Sequence, residues 1–288
     1  MSSYVKTIAI AGLTAQVQLA NAAPLTIENY VANDKGFSVS STLISGKKEA
    51  ILVNGLFNQS DALRVAANIL DSGKTLTTIF VSYGDPDYYF GLQSLHQIFP
   101  NAKIIATPVT VKHIQETKKL KLDYWGSKMG NNAPKNILVP TPTQDKVFTL
   151  DGEQIELKGE GKLTYLWIPA NKAVLGGNVV TAGYHVWTAD DPTSTQRAAI
   201  EKALKEIKAL KPELVIPAHM VKDGATDVSS VDFTLNYLEK YDQVAKQSKN
   251  SAEIIQKMKN LYPQLNGETS LDSLEMGAKV VKGEMKWP

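Results

Sequence analysis

The chain has 288 residues, of which 43% are apolar and 21% charged, and its formal net charge at pH 7 is +2. This balance is typical of a soluble protein with a substantial core, and it lacks the basic excess that a nucleic-acid partner would require. The absence of cysteine excludes disulfides, thiolate metal ligands and a cysteine nucleophile.

The amino terminus has the composition of a secretory signal. Lys6 precedes an apolar stretch at 7–13, and small residues follow at 20–23. This order predicts a signal peptide at 1–23 and a periplasmic or secreted protein. The alternative interpretation is a frayed amphipathic terminus or an edge strand, in which case a cytoplasmic location is expected. No later run reaches the ~18 apolar residues of a membrane-spanning helix, so no membrane span is predicted.

Residues 24–225 are predicted to form one α/β domain. The first helix is expected from Ser60, because apolar residues then recur at three- and four-residue spacing until Gly73. A near-continuous apolar run at 76–81 predicts a buried strand, with a loop at its carboxyl end. Further helices are expected up to Phe99 and from Val109. The strands predicted in this half are 26–31, 37–44, 50–53, 76–81 and 103–106.

The second half of the chain also combines predicted strands with helices, and it ends in helices. Thr193 and Gln196 form a capping box that opens a helix. Apolar stripes then predict a helical extension at 226–288, which could also mediate a dimer. Two strand-rich halves backed by helices pack naturally face to face. The strands predicted here are 147–150, 155–157, 163–168, 173–175 and 214–216.

The loop after the buried strand reads Ser-Tyr-Gly-Asp-Pro-Asp-Tyr-Tyr-Phe-Gly over 82–91. It resembles the metallo-β-lactamase superfamily, which carries Thr-His-x-His-x-Asp-His here, and an exported subgroup with His-Gly-Asp-Pro-Asp-His-Tyr-Phe-Gly. Tyr83 and Tyr88 stand where that subgroup has histidines. Asn54 and Asn178 stand where family strands end in aspartate, whereas His219 retains the last family histidine. The resemblance covers about residues 25–220 and implies an αββα sandwich with a pocket along one edge and a helical carboxyl-terminal extension.

The substitutions remove most of the zinc ligands that the resemblance implies. Only Asp85, Asp87 and His219 survive, and there is no histidine between His113 and His185. A phenol has a pKa of ~10 and coordinates zinc poorly compared with a neutral imidazole. A dinuclear zinc site is therefore predicted to be absent. Without a cation, juxtaposing the two aspartates raises one carboxyl pKa, so either a positive group lies nearby or one acid is protonated.

Three functions remain open from the sequence. The first is a pseudo-enzyme that binds a small molecule in a pocket lined by Tyr83, Asp85, Tyr88, Asn178, His185 and His219. The second is a hydrolase of an ester, lactone or related bond that holds one zinc ion through Asp85, Asp87 and His219, with Asp87 as the catalytic candidate. The third is ferric-ion binding through Tyr83, Tyr88, Asp85 and His219, because ferric ion is acidic enough to ionise phenols.

Other residues carry more ordinary expectations. His185 could be a ligand or a substrate contact, although a core histidine with a satisfied ring is the favoured interpretation. The basic cluster Lys118, Lys119 and Lys121 is expected on a solvated helix face. Aromatic residues Tyr124, Trp125 and Trp187 could line a pocket mouth, with ordinary aromatic packing as the default interpretation.

Overall fold

Two β-sheets pack face to face in the computed structural model, which describes residues 24–265 and 267–287. The predicted signal peptide at 1–23 lies outside the described residues. The first sheet has the strand order β1-β2-β3-β4-β5-β6. These strands are β1 (Thr26–Val31), β2 (Ser40–Ser45), β3 (Glu49–Val53), β4 (Thr75–Val81), β5 (Lys103–Ala106) and β6 (Thr141–Pro142).

The second sheet has the order β12-β10-β9-β8-β7, and β11 pairs with β13 in a small separate ladder. Their bounds are β7 (Val147–Leu150), β8 (Glu153–Lys158), β9 (Tyr165–Ile168), β10 (Ala173–Leu175), β11 (Thr181–Ala182), β12 (Leu214–Val215) and β13 (His219–Met220). Apolar side chains such as Ile44, Val53, Phe80, Leu166 and Leu175 fill the space between the two sheets.

Helices cover both outer faces, so the fold is the αββα sandwich that the sequence predicts. The first sheet carries α1 (Gln59–Asp71), α2 (Pro86–Tyr89), α3 (Leu92–Ile98) and α4 (Pro108–Met129), which enclose one apolar core. The second sheet carries α5 (Ser194–Ala209), α6 (Val228–Gln247), α7 (Ser251–Leu261) and α8 (Glu268–Val281), which enclose another. Among the described residues, no helix is long and apolar enough to cross a membrane.

Local sequence signals explain several boundaries. The capping box at Thr193 and Gln196 is confirmed, with each side chain satisfying a backbone amide of the other. Gly73 ends α1 with a φ of 65°, as predicted. Strand β2 was predicted from residue 37 but begins at Ser40, because Phe37 and Ser38 have left-handed backbones (φ 59° and 49°) that no strand accommodates.

One edge of the sandwich collects the candidate residues. Strands β3, β4 and β5 run parallel, as do β10 and β12. Asn54 and the 82–91 loop therefore follow the carboxyl ends of adjacent parallel strands. Asn178 follows β10, and His219 follows β12. Side chains at the carboxyl ends of neighbouring strands meet in one crevice, which positions the site.

Candidate functional site

The 82–91 loop is fixed at its start by Asn54. The Asn54 side-chain oxygen accepts hydrogen bonds from the backbone amide of Ser82 (3.1 Å) and from its hydroxyl (2.7 Å). Its amide nitrogen donates to the carbonyl of Ser40. Asn54 thus ties the loop to the neighbouring strands through a neutral, fully buried side chain.

Tyr88 lies at the centre of the candidate site and is fully buried. Its hydroxyl oxygen lies 3.1 Å from Oδ1 of Asn178 and 3.2 Å from Nε2 of His219. Burial raises the pKa of the Tyr88 phenol well above its ordinary value, and the nearby charge of Asp87 raises it further. The side chain is therefore a neutral phenol that connects two residues from different strands.

His219 is oriented from the other side. Its Nδ1 lies 2.8 Å from the carbonyl oxygen of Phe37, which can only accept, so Nδ1 carries the proton. Burial lowers the pKa of His219, so the ring is neutral and Nε2 is an acceptor. The Tyr88 hydroxyl then has an acceptor in His219, and its single proton is shared between His219 and Asn178.

Asp87 lies beside the same imidazole. Its Oδ2 is 3.3 Å from Nε2 of His219, close but without aligned hydrogen-bond geometry. Burial raises the pKa of Asp87 well above its ordinary value, and the charge of Asp85 adds to this effect. Both effects favour the neutral, protonated form of Asp87.

Asp85 has the opposite state because a cation reaches it. Burial alone would raise the pKa of Asp85, but His113 and the ammonium of Lys121 outweigh burial and lower it. The Lys121 Nζ lies 3.1 Å from Oδ1, whereas His113 is 3.8 Å away, beyond hydrogen-bond distance. We therefore attribute most of the lowering of the Asp85 pKa to Lys121. The sequence predicts either a nearby cation or a protonated acid, and the structure contains both.

Tyr83 packs against Tyr88, with ring centroids 5.4 Å apart. Its hydroxyl donates a long hydrogen bond (3.5 Å) to Oδ2 of Asp190. Burial raises the pKa of Tyr83 well above its ordinary value, and Asp190 and Asp85 raise it further. Asp190 also accepts a 2.8 Å hydrogen bond from the indole of Trp287. Burial, followed by the charge of Asp85, raises the pKa of Asp190 to about 7.

Asn178 depends on a turn that only glycine can form. Gly176 and Gly177 both have left-handed backbones, with φ of 73° and 75°. A Cβ at Gly177 would lie 2.1 Å from the carbonyl oxygen of Thr164, so any other residue there would displace the strand beside it. This turn aims Asn178 at Tyr88.

His185 is held by the carboxyl-terminal helices. Its Nδ1 hydrogen bonds with the hydroxyl of Tyr237 (2.9 Å), and its backbone amide donates to Ser270 on α8. The residue is 1% exposed and borders the large cleft described below, as Asp87 and His219 do. The structure therefore places His185 among the carboxyl-terminal helices at the same cleft.

The residues present do not fit a metal ion. Tyr88 fills the space between Asn178 and His219, and Lys121 already neutralises Asp85. Among the described residues, no group of three histidine or carboxylate side chains has the arrangement that holds a metal. A ferric centre fits no better, because the Tyr88 hydroxyl is directed at Asn178 and His219 and the Tyr83 hydroxyl at Asp190, so the two phenol oxygens serve different partners.

A cleft of about 1100 Å³ opens above this site. Asp85, Asp87, Asn178 and His219 border its inner end. Aromatic residues and methionines from several separate segments border it, namely Phe37, Phe57, Tyr124, Trp125, Met129, Trp187, Met276, Met285 and Trp287. Tyr124, Trp125 and Trp187, for which ordinary packing was the default interpretation, therefore take the alternative position at a pocket.

The sequence analysis missed or misplaced several of these residues. Lys121 was expected on a solvated face, and this is wrong, because it is only 4% exposed. Its position seven residues after the buried Ile114 places it on the inward face of α4, and helical periodicity could have found it. Asp190, Phe37 and Trp287 carry no local signal, since tertiary folding alone brings them to the cleft.

Comparisons with known proteins agree with this architecture. A family model described as the metallo-beta-lactamase superfamily matches residues 34–219. A metallo-beta-lactamase family protein from Thermus thermophilus is similar in structure, with a TM-score of 0.61 at 12% identity over 90% of this chain and 91% of that chain. A metallo-beta-lactamase from Pontibacter korlensis gives a TM-score of 0.53 at 14% identity over 75% of this chain and 94% of that chain. These identities show the fold alone. No curated protein matches the chain.

Proposed function

The chain belongs to the metallo-beta-lactamase superfamily, and from that membership we propose that it is a pseudo-enzyme that binds a small molecule without zinc chemistry. The observation that carries the proposal is the Tyr88 hydroxyl, which lies within hydrogen-bond distance of both Asn178 and His219. A neutral phenol there satisfies the two side chains that the family resemblance assigns to metal binding. No hydrolytic water can be activated by a cation at that position.

The charges around Tyr88 support the same proposal. A divalent cation needs free carboxylates, but the ammonium of Lys121 compensates Asp85, and burial raises the pKa of Asp87 well above its ordinary value. Adding a cation would require Lys121 to leave its partner and Tyr88 to move. Each change has an unfavourable free energy in this buried setting.

The cleft supports a binding role. Its volume of about 1100 Å³ accommodates a small organic molecule, and aromatic and methionine side chains border it together with polar and charged groups. Ligand sites combine apolar surface with polar groups that orient the ligand. Because fold does not determine activity, a pocket that persists while its metal-ligand positions are substituted favours binding over hydrolysis.

The test is the metal content of the chain purified without chelators, together with its thermal stability with and without added zinc. We expect far less than one metal ion per chain and no zinc-dependent rise in melting temperature, because only a ligand of the native state stabilises it. The Asp87→Ala variant is the control. Stoichiometric metal that disappears in this variant would contradict the proposal and favour a mononuclear hydrolase.

A further inference from the structure

One side of the cleft is an aromatic wall built from three separate segments. Phe37 comes from the β1–β2 loop, Phe57 from the segment after β3, and Trp125 from α4. Their ring centroids are 4.9 Å (Phe37–Phe57), 5.2 Å (Phe37–Trp125) and 5.7 Å (Phe57–Trp125) apart, all in edge-to-face arrangements. Edge-to-face packing fixes ring orientation. The three rings therefore form an aromatic surface of fixed shape at the cleft.

The backbone is strained where it presents Phe37. Phe37 and Ser38 are consecutive non-glycine residues with left-handed φ angles of 59° and 49°. Such conformations are unfavourable for residues other than glycine and persist only where surrounding contacts impose them. Those contacts come from the site itself: His219 donates to the Phe37 carbonyl, and the Tyr184 hydroxyl lies 2.6 Å from that of Ser38. The fold thus maintains strain to hold an aromatic ring at the cleft.

Further apolar side chains border the cleft. They include Met276, Met285, Trp187 and Trp287, with the two indole rings 5.3 Å apart. Methionine side chains are flexible and polarisable, so they fit varied apolar shapes and contact aromatic rings favourably. The cleft volume of about 1100 Å³ has room for a flat ring system.

The inner end of the cleft carries a compensated ion pair. The ammonium of Lys121 lies 3.1 Å from Oδ1 of Asp85, so each of these two charges has its partner within the protein. A charged ligand bound beside this pair would lose its hydration without gaining a free counter-ion. Further charged residues that border the cleft, including Lys128 and Glu275, are exposed to solvent.

From the strained aromatic wall, the methionines that border the same cleft and the compensated Asp85–Lys121 pair, we infer that the cleft takes an uncharged, largely apolar molecule that carries a flat ring system. This inference rests on the proposed binding function and adds the class of ligand. The ring packs against Trp125 and Phe37, and the flexible side chains of Met276 and Met285 adapt to the rest of the molecule. A neutral polar substituent can point towards the inner end.

The experiment is equilibrium dialysis of the full chain with three naphthalene probes of equal ring size. The probes are 2-methoxynaphthalene (uncharged), 2-naphthoate (anionic) and 2-naphthylmethylammonium (cationic). We expect the uncharged probe to bind with saturation at one site and each charged probe to bind at least about tenfold more weakly, a difference of about 1.4 kcal/mol. Equal or tighter binding of a charged probe would overturn the inference.

Substitutions on α4 test whether the uncharged probe binds at the aromatic wall. Trp125→Ala removes one face of the aromatic wall and should weaken binding of the uncharged probe about tenfold, whereas Trp125→Phe should restore most of it. Leu120→Ala is the matched control, because Leu120 is an exposed apolar residue on the same helix outside the cleft. Equal binding by wild type and Trp125→Ala, with circular dichroism showing both folded, would overturn the inference.

The two proposals fail in distinguishable ways. If a charged probe binds best and Trp125→Ala still weakens it, the binding function stands and the ligand class is wrong. If no probe binds and the metal content is low, the ligand class is likewise wrong. If purified protein carries stoichiometric metal that is lost in Asp87→Ala, the proposed function itself fails, whatever the probes do.

Discussion

The hydroxyl oxygen of Tyr88 lies 3.2 Å from Nε2 of His219 and connects α2, which follows β4, with the start of β13. The same oxygen lies 3.1 Å from Oδ1 of Asn178, in the segment after β10. One phenol hydroxyl therefore joins three segments of the chain by hydrogen bonding. This arrangement makes the site part of the folded core, and it predicts measurable effects on stability.

Replacing Tyr88 with phenylalanine removes one buried hydroxyl that serves two partly buried partners, Asn178 and His219. Loss of a hydrogen-bond partner at such a site costs about 1–3 kcal/mol, because the remaining polar atoms are only partly compensated by water. We expect Tyr88→Phe to lower the free energy of unfolding by that amount in urea titrations.

The matched control for this variant is Tyr89→Phe. Tyr89 is equally buried, but its hydroxyl has no hydrogen-bond partner among the described residues. Removing that hydroxyl should leave stability unchanged or raise it slightly. A similar loss of stability in both variants would show that the Tyr88 hydroxyl has no special role.

The ion pair between Lys121 and Asp85 leads to a second prediction. Removing one partner of a buried ion pair leaves an uncompensated charge, which costs about 3–5 kcal/mol. We expect Lys121→Met to lower the free energy of unfolding by about that much, with Lys119→Met as the control, since Lys119 is exposed. Adding Asp85→Asn to Lys121→Met should recover much of the loss. Failure of the second substitution to recover stability would contradict the pairing.

The raised pKa of Asp190 predicts that the free energy of unfolding falls as the pH rises. Burial raises the pKa of Asp190 from 3.8 to about 7, so the folded state binds this proton more tightly than the unfolded state. The resulting stabilisation is complete below pH 3.8 and is lost as the pH rises to about 7. Wild type should therefore lose stability relative to Asp190→Asn across this interval, as measured by urea unfolding at several pH values.

Asp227→Asn is the control for that pH series. Asp227 is an exposed helix cap, and hydrogen bonds from Ser229 lower its pKa, so its titration falls below the interval. Asparagine caps helices as well as aspartate does. Identical pH profiles for wild type and Asp190→Asn would show that Asp190 titrates normally.

The fold could be predicted from the sequence because its signals are local. The apolar run that forms β4, the capping box of α5 and the order of the four family-like segments each depend on neighbouring residues. Tyr83, Asp85, Asp87 and Tyr88 are close in sequence, so their proximity follows from one loop. His219 lies far from that loop in the sequence. It could be assigned to the site only because the segment that contains it resembles a family segment with a known position in the fold.

The rest of the site depends on distant contacts that periodicity does not encode. Trp287 reaches Asp190 across 97 residues, and Tyr184 reaches Ser38 across 146. The left-handed backbone at Phe37 breaks a segment that reads as a strand, because tertiary contacts with His219 override local propensity. His185 follows a motif-like segment, yet its hydrogen bonds are with α6 and α8.

The central claim is that phenols occupy a place where imidazoles would bind a divalent cation. Its most direct test is calorimetric zinc titration of wild type and of the Tyr83→His/Tyr88→His double variant, both verified as folded. We predict no saturable zinc binding by wild type and stoichiometric binding by the double variant, since imidazole coordinates zinc as a neutral base. Tight zinc binding by wild type, or none by a folded double variant, would contradict the account.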